Sequence, residues 1–115
     1  MSLLSEVKGL LTTVSDVYTG SMPSSPDNAV SLSHSGGYPR DMTGNFVAEP
    51  TFMVRVRNTS YATGSALAGS IVKLLHGKTT TNIMMIQAQS DVLDLGRDES
   101  NRSEFSVNFR CYFKG

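Results

Sequence analysis

Hydrophobic and polar positions recur along this chain with two different periods, and each change of period marks out an element. Leu3, Leu4, Val7, Leu10, Leu11, Val14, Val17 and Tyr18 return at steps of three and four, which places them on one stripe of an α-helix. Ser2 is positioned to cap its start and Gly20 to end it in a left-handed turn. The pattern therefore predicts a helix over 2–19. Gly9 inside it costs about 1 kcal/mol relative to Ala, so burial of the stripe has to carry the helix. Residues 20–28 hold two prolines and three serines and read as a connecting loop.

A period of two follows. Val30, Leu32 and His34 fall on one side of a short strand over 29–34. Residues 35–50, SGGYPRDMTGNFVAEP, contain three glycines and two prolines and predict a long loop, a feature that is often functional in a compact domain. Over 51–58, Phe52, Val54 and Val56 face one way and Met53, Arg55 and Arg57 the other. A second helix is predicted from about 60 to 76, capped by Ser60 or Thr59 and ended by Gly77. Its stripe is Tyr61, Leu67, Ala68, Ile71, Leu74 and Leu75. Gly64, Ser65, Ala66, Ala68, Gly69 and Ser70 make its first half thin enough for close approach to a neighbour.

Two short apolar runs, 83–89 and 92–95, are separated by a bend at Ser90 and Asp91. GRDESN, residues 96–101, is a polar turn. In the last strand Phe105, Val107, Phe109, Cys111 and Phe113 alternate with Ser106, Asn108, Arg110 and Tyr112. The order is helix, two strands, helix, three strands. It predicts an α+β fold, an antiparallel sheet of about five strands with both helices packed on one face.

Length narrows this to one domain over 1–115, because 115 residues hold one core of ordinary size. Hydrophobic residues are 39% of the chain, too many for disorder. Lys+Arg and Asp+Glu are ten each, for a formal net charge of zero. That balance argues against a free-standing duplex binder, which carries a basic excess, and it favours association. The single cysteine excludes an internal disulfide. No apolar run reaches the roughly 18 to 20 residues of a membrane helix, and the N-terminus lacks a basic signal region. The expectation is a chain folded in a cytoplasm, with no membrane partner.

Catalytic chemistry finds little to use. Nucleophilic catalysis needs a nucleophile, a base and an orienting group. His76 ends a helix, where the dipole accounts for it. His34 stands alone at a strand end, and a hydrolase would have to pair it with Asp41 or Asp27. Cys111 falls in phase with Phe109 and Phe113, as a small buried core residue does. One Cys and two distant His make no zinc spacing, and GRDESN lacks the pattern of a calcium loop. Asp91, Asp94, Asp98 and Glu99 read as a solvated turn rim. No phosphate-binding loop or dinucleotide fingerprint is present. The expectation is no enzyme, no cofactor and no metal.

What remains is charge on regular faces. The strands carry arginine (Arg55, Arg57, Arg110), whose planar fork suits carboxylate or phosphate better than lysine does. Either this is an ordinary wet sheet face or the arginines meet a partner.

Several runs together carry a resemblance. They are PDN at 26–28, GGYPRD at 36–41, EPTF at 49–52, VRVRNTSYA at 54–62, LLHGK at 74–78 and LDLGRDESNRSEFSVNFRCY at 93–112. In this order they resemble the tailed-phage minor capsid protein family, which is similar to the tail terminator (tail completion) proteins of long-tailed phages. The resemblance implies a virion subunit that caps the end of a tail tube and joins it to the head connector. It implies a ring, commonly of six copies, around a channel through which DNA passes without sequence-specific binding. The partners are then the chain itself, a tail tube protein and a head–tail connector protein.

The family supplies no catalytic motif, so subunit-interface or lumen residues are chosen on charge and place. They are Tyr38, Arg40 and Asp41 in the long loop, Arg55, Arg57 and Arg110 on strands, and Arg97, Asp98, Glu99 and Arg102 at the polar turn. A cyclic ring needs two different complementary patches, and the loop over 35–50 is one candidate. Two other readings stay open: a head-side connector or stopper, and a monomeric module that binds a protein through the long loop.

Overall fold

The computed structural model describes residues 3–38 and 48–114. Its elements are α1 (Leu3–Leu10), β1 (Val17–Thr19), β2 (Ala29–Tyr38), β3 (Glu49–Asn58), α2 (Tyr61–Leu75), β4 (Ile83–Ala88), β5 (Leu93–Arg97) and β6 (Ser103–Phe113). The six strands form one sheet in the order β1-β2-β3-β6-β4, with β5 also paired to β6. All pairings are antiparallel except β1 with β2. The α+β class stands as the element order predicts.

The alternation on β3 and β6 sets the layers. Phe52, Val54 and Val56 pair with Phe109, Val107 and Phe105, and all six are buried. The Phe52 and Phe109 rings stack at 5.2 Å between centroids. Val30 and Leu32 of β2 extend this face, as do Ile83 and Ile86 of β4. Both helices cover it: Leu3, Leu4 and Val7 from α1, with Ala68, Ile71 and Leu75 from α2, join the same core cluster. Cys111 lies in that cluster, fully buried, and burial pushes its thiol up to about 12. It is a core residue without thiolate character at neutral pH.

The first helix is much shorter than the pattern predicts. It closes at Leu10, and Leu11 and Val14 then donate to the carbonyls of Lys8 and Leu11, three residues back. Asp16 takes a left-handed φ of 57°, and the chain returns as β1 beside β2. Thr12, Thr13, Val14, Ser15 and Asp16 are poor helix formers. Leu11 and Val17 are buried all the same, so the apolar spacing is met by a turn and a strand instead of a helix. Gly20 is left-handed, as expected, but it ends β1. The capping role of Ser2 lies outside the described residues.

The long loop is also corrected. Its first residues, Ser35–Tyr38, continue β2, and Glu49 and Pro50 already belong to β3. Ala48 bridges Phe113. Gly36, at a φ of +104°, forms the bulge that shifts the register after His34. Glycine there signals a bend in a strand, and not the start of a loop. Positions 39–47 lie outside the described residues.

The two runs after α2 do not make a hairpin. β4 pairs with residues 109–113 of β6 and β5 with residues 103–106. Residues 83–97 thus pass along the border of β6 once, in two pieces. The remaining end of α1 is anchored by Glu6, whose buried carboxylate accepts from Thr80 Oγ1 at 2.7 Å and Asn82 Nδ2 at 3.2 Å.

The second helix keeps its predicted bounds. The Ser60 side chain caps it by accepting from Thr63 N, and Gly77 follows its end. Its thin first half does approach the sheet closely. A Cβ at Gly64 would stand 2.9 Å from Phe105 Cε2 and 3.0 Å from Asn58 Cβ, whereas one at Gly69 would meet nothing within 4 Å. We therefore expect Gly64→Ala to destabilise by about 1–2 kcal/mol, the overpacking strain exceeding the helix-propensity gain. Gly69→Ala is expected to stabilise by up to about 1 kcal/mol. Denaturant midpoints measure both, and the same sign for the two variants would contradict this packing.

Candidate functional site

The face of the sheet away from the helices carries no layer of its own among the described residues. Ser31, Arg55 and Ser106 lie across it in one row, and Ser33, Met53 and Asn108 in the next. Arg55 is half-buried and pairs with Glu104 across the β3–β6 ladder. Its Nε is buried with no hydrogen-bond acceptor. Arg110 is half-buried farther along β6, where the Gln89 amide oxygen, oriented by the local hydrogen-bond network, stands 3.2 Å from its Nη2.

Arg57 has the same phase but another fate. It is 4% exposed, because the 24–28 loop covers it. Its Nε donates to the Asp27 carbonyl at 3.0 Å and its Nη2 to the Pro26 carbonyl at 2.6 Å. Its guanidinium is thus occupied within the chain. Strand alternation shows which face Arg57 occupies but not what loop lies over it.

Three runs far apart in sequence meet at this end of the sheet. The 26–28 loop enters β2, residues 57–60 leave β3, and the 96–102 turn joins β5 to β6. Asn28 Oδ1 accepts from Thr59 N at 3.0 Å. Arg102 donates through Nε to Asp98 Oδ2 at 2.7 Å, and through Nη1 to the Ser24 carbonyl at 2.8 Å and Asp27 Oδ1 at 3.3 Å. Asp98 also accepts from the backbone N–H groups of Ser100 and Arg102. The Arg102 N–H in particular holds its carboxyl below the usual carboxylate range. Arg97 folds back on Asn101 at 3.1 and 3.2 Å, and Glu99 is exposed at the turn. Tyr38 ends β2 opposite Glu49. Arg40 and Asp41 lie outside the described residues.

The outer border carries a feature that sequence reading missed. Every residue of β5 is exposed, and Leu93, Leu95, Met84 and Met85 are among the exposed large apolar side chains. Tyr61, 51% exposed, lies against β5, where its OH donates to Asp94 Oδ2 at 2.9 Å. That bond raises the phenol above its ordinary pKa. Short runs such as IMMI and VLDL show apolar content, but not which border of the sheet they occupy.

Among the described residues nothing resembles a reaction centre. Asp27 lies in the loop before β2, and His34 stands five residues into that strand, about 17 Å from its start at the rise of a strand. His76 Nδ1 accepts from the Ala88 N–H at 3.1 Å. Among the described residues, four depressions of about 300 to 540 Å³ have linings that include none of His34, His76 and Cys111. No group of three or more His, Cys, Asp or Glu among the described residues could hold a metal ion. No described helix is long and apolar enough to cross a membrane.

Comparison with known proteins gives two likenesses. The sequence profile of a family described as bacteriophage tail terminator protein matches residues 6–114. Among solved structures, a chain from the virion of a native gene transfer agent (GTA) particle superposes with a TM-score of 0.63 at 18% identity. That alignment covers 100% of this chain and 87% of the other. At such identity the likeness is one of fold. Comparison with curated proteins gives no match.

The two interior strand arginines should separate in stability. Arg57→Ala leaves two carbonyls without their charged donor and is expected to cost about 3 kcal/mol. Arg55→Ala loses a partly exposed ion pair and is expected to cost no more than about 1 kcal/mol. Denaturant unfolding of the two variants checks the contrast, and equal losses would contradict it. For Asp98 a lowered folded pKa means that its stabilisation is complete above the unfolded carboxylate value. It is lost as pH falls through the lower folded value. A carboxyl NMR titration should show Asp98 ionised after ordinary aspartates have protonated; titration with the others would remove the effect.

Proposed function

The chain belongs to the bacteriophage tail terminator family, and from that membership we propose that it caps the end of a tail tube and joins the tail to the head. It is a structural component of the phage particle, and association with other particle proteins follows from that place. The observation that carries the finer reading is the family match over 6–114. The family is one of tail proteins, which favours the tail end over a head-side connector or stopper.

In this reading six copies close as a ring around the DNA channel, between the tube protein and the connector. The neutral charge suits such a subunit, because DNA has to slide past without being held. The uncovered sheet face presents Arg55 and Arg110 to a neighbour or to the channel, and the exposed turn adds Arg97 and Glu99. The β2–β3 arm, exposed from His34 to Gly36, reaches away from the core toward another subunit or the tube. Arg57, Asp98 and Arg102 serve instead by holding the loops from which those contacts are made.

The test is assembly in cells infected by phage lacking this chain. Filled heads and unjoined tails are the expected products, with joining restored by adding the purified protein. Fully joined particles without it would refute the reading. Arg110→Glu protein that folds normally is expected to restore joining at least tenfold less well.

A further inference from the structure

An outermost strand with exposed leucines is a hazard in a free protein, and proteins ordinarily blunt such edges with charge, brevity or a cover. β5 is short, bulged between Asp94 and Gly96 and ends in exposed Arg97, yet its first three residues include two exposed leucines and no cover lies over them among the described residues. It pairs with β6 along one edge only, and all five of its residues are exposed, with Leu93 at 57% and Leu95 at 44%. Its one carboxylate is turned inward along the strand: Asp94 accepts from Tyr61 OH at 2.9 Å and from its own Gly96 N–H at 2.8 Å. Asp94 therefore holds the strand's shape and does not guard its edge.

The side chains flank that edge on both faces. Leu93 pairs opposite Ser106 and so projects with the helix-free face, and Asp94 pairs opposite Phe105 on the helix side. Tyr61 packs beside Phe105 at 5.3 Å between ring centroids and covers that side. A strand arriving at β5 would thus find leucine on one face and tyrosine on the other. These groups are apolar and exposed, as the buried centre of a protein–protein contact is before it forms.

The opposite border of the same sheet offers a matching edge. β1 covers β2 only from Val30 to Leu32. Beyond that, among the described residues, Ser33–Tyr38 has a strand on its β3 side alone. One subunit therefore has two unlike open edges, five residues on β5 and six on β2, at opposite borders of its sheet. Unlike patches on opposite borders are what head-to-tail closure of identical subunits requires, and main-chain pairing gives such a contact affinity without a deep pocket.

We infer that β5 is a docking edge for a second copy of this chain, which adds the distal part of its β2, Ser33–Tyr38, as the next strand. The sheet then continues from subunit to subunit, with Leu93, Leu95 and Tyr61 buried at each junction. This rests on the ring reading above and names the contact that closes the ring.

The experiment places a benzophenone amino acid at Leu95 in protein assembled onto phage tails, irradiates the tails and identifies the joined peptides by mass spectrometry. The expected product is a ladder of multimers, with Leu95 joined to a peptide containing residues 33–38 of a second copy. Leu93→Lys with Leu95→Lys, both exposed positions, should leave the fold and thermal melting of the free protein unchanged while removing it from tails. Adducts to the tube protein or connector, or tails that join heads normally with the double lysine variant, would overturn the proposed edge and leave the ring reading standing. A single copy per tail in unmodified particles would instead remove the ring reading itself.

Discussion

The in-register pairing of β3 with β6 is the constraint on which the rest of the molecule depends. Once Val54 lies opposite Val107 and Phe52 opposite Phe109, the buried apolar side chains Phe52, Val54, Val56, Phe105, Val107, Phe109 and Cys111 of the two strands fall on one face. A shift of one residue would turn each of them to the other side. The helices have a surface to cover only because this register holds. The polar residues of the other face, Arg55, Glu104, Ser106, Asn108 and Arg110, are grouped by the same register. Close approach of α2 at Gly64, against Phe105, then seals the core at its crowded end.

A second consequence concerns the loops. At the end of the sheet where β2 starts, β3 ends and β6 starts, three loops come together with their own backbone groups to satisfy. Two arginines do this. Arg57 donates to carbonyls of the 26–27 segment, and Arg102 links the 96–102 turn to Ser24 and Asp27. Burying a guanidinium is unfavourable unless its donors are used, and here both have several acceptors. The network gives irregular chain a defined shape at the place where the polar turn is presented.

The free subunit is covered unevenly. The helix side is closed, while the opposite sheet face and the β4–β5 border remain open and partly apolar. A monomer gains nothing from exposed Leu93, Leu95, Met84 and Met85, since each would be more stable buried. A tail terminator works inside a particle, and uncovered surface of this kind is what an assembling subunit supplies. Of the groups that could carry chemistry, Cys111 is sealed in the core, His76 is exposed and accepts from the Ala88 N–H, and His34 is exposed on β2.

How much of this could be read without coordinates depends on the range of the interactions. Alternation in 51–58 and 105–113, the stripe and cap of α2 and the smallness of its first half are local properties, and they determined the α+β class and most element bounds. Family-like runs such as PDN, RNTS and GRDESN were also legible, but only as separate pieces. Tertiary structure decided what local pattern leaves degenerate. Leu11, Val14 and Val17 suit a helix or a turn and strand equally by spacing, and only packing beside β2 selects the latter. Glycines at 36 and 37 suit a loop or a bulged strand, and only pairing with β3 distinguishes them. Arg55 and Arg57 share a phase, yet a loop 30 residues earlier in the chain buries one and leaves the other at the surface. Periodicity reports which side of an element a residue takes; what lies on that side is set by contacts between segments remote in sequence.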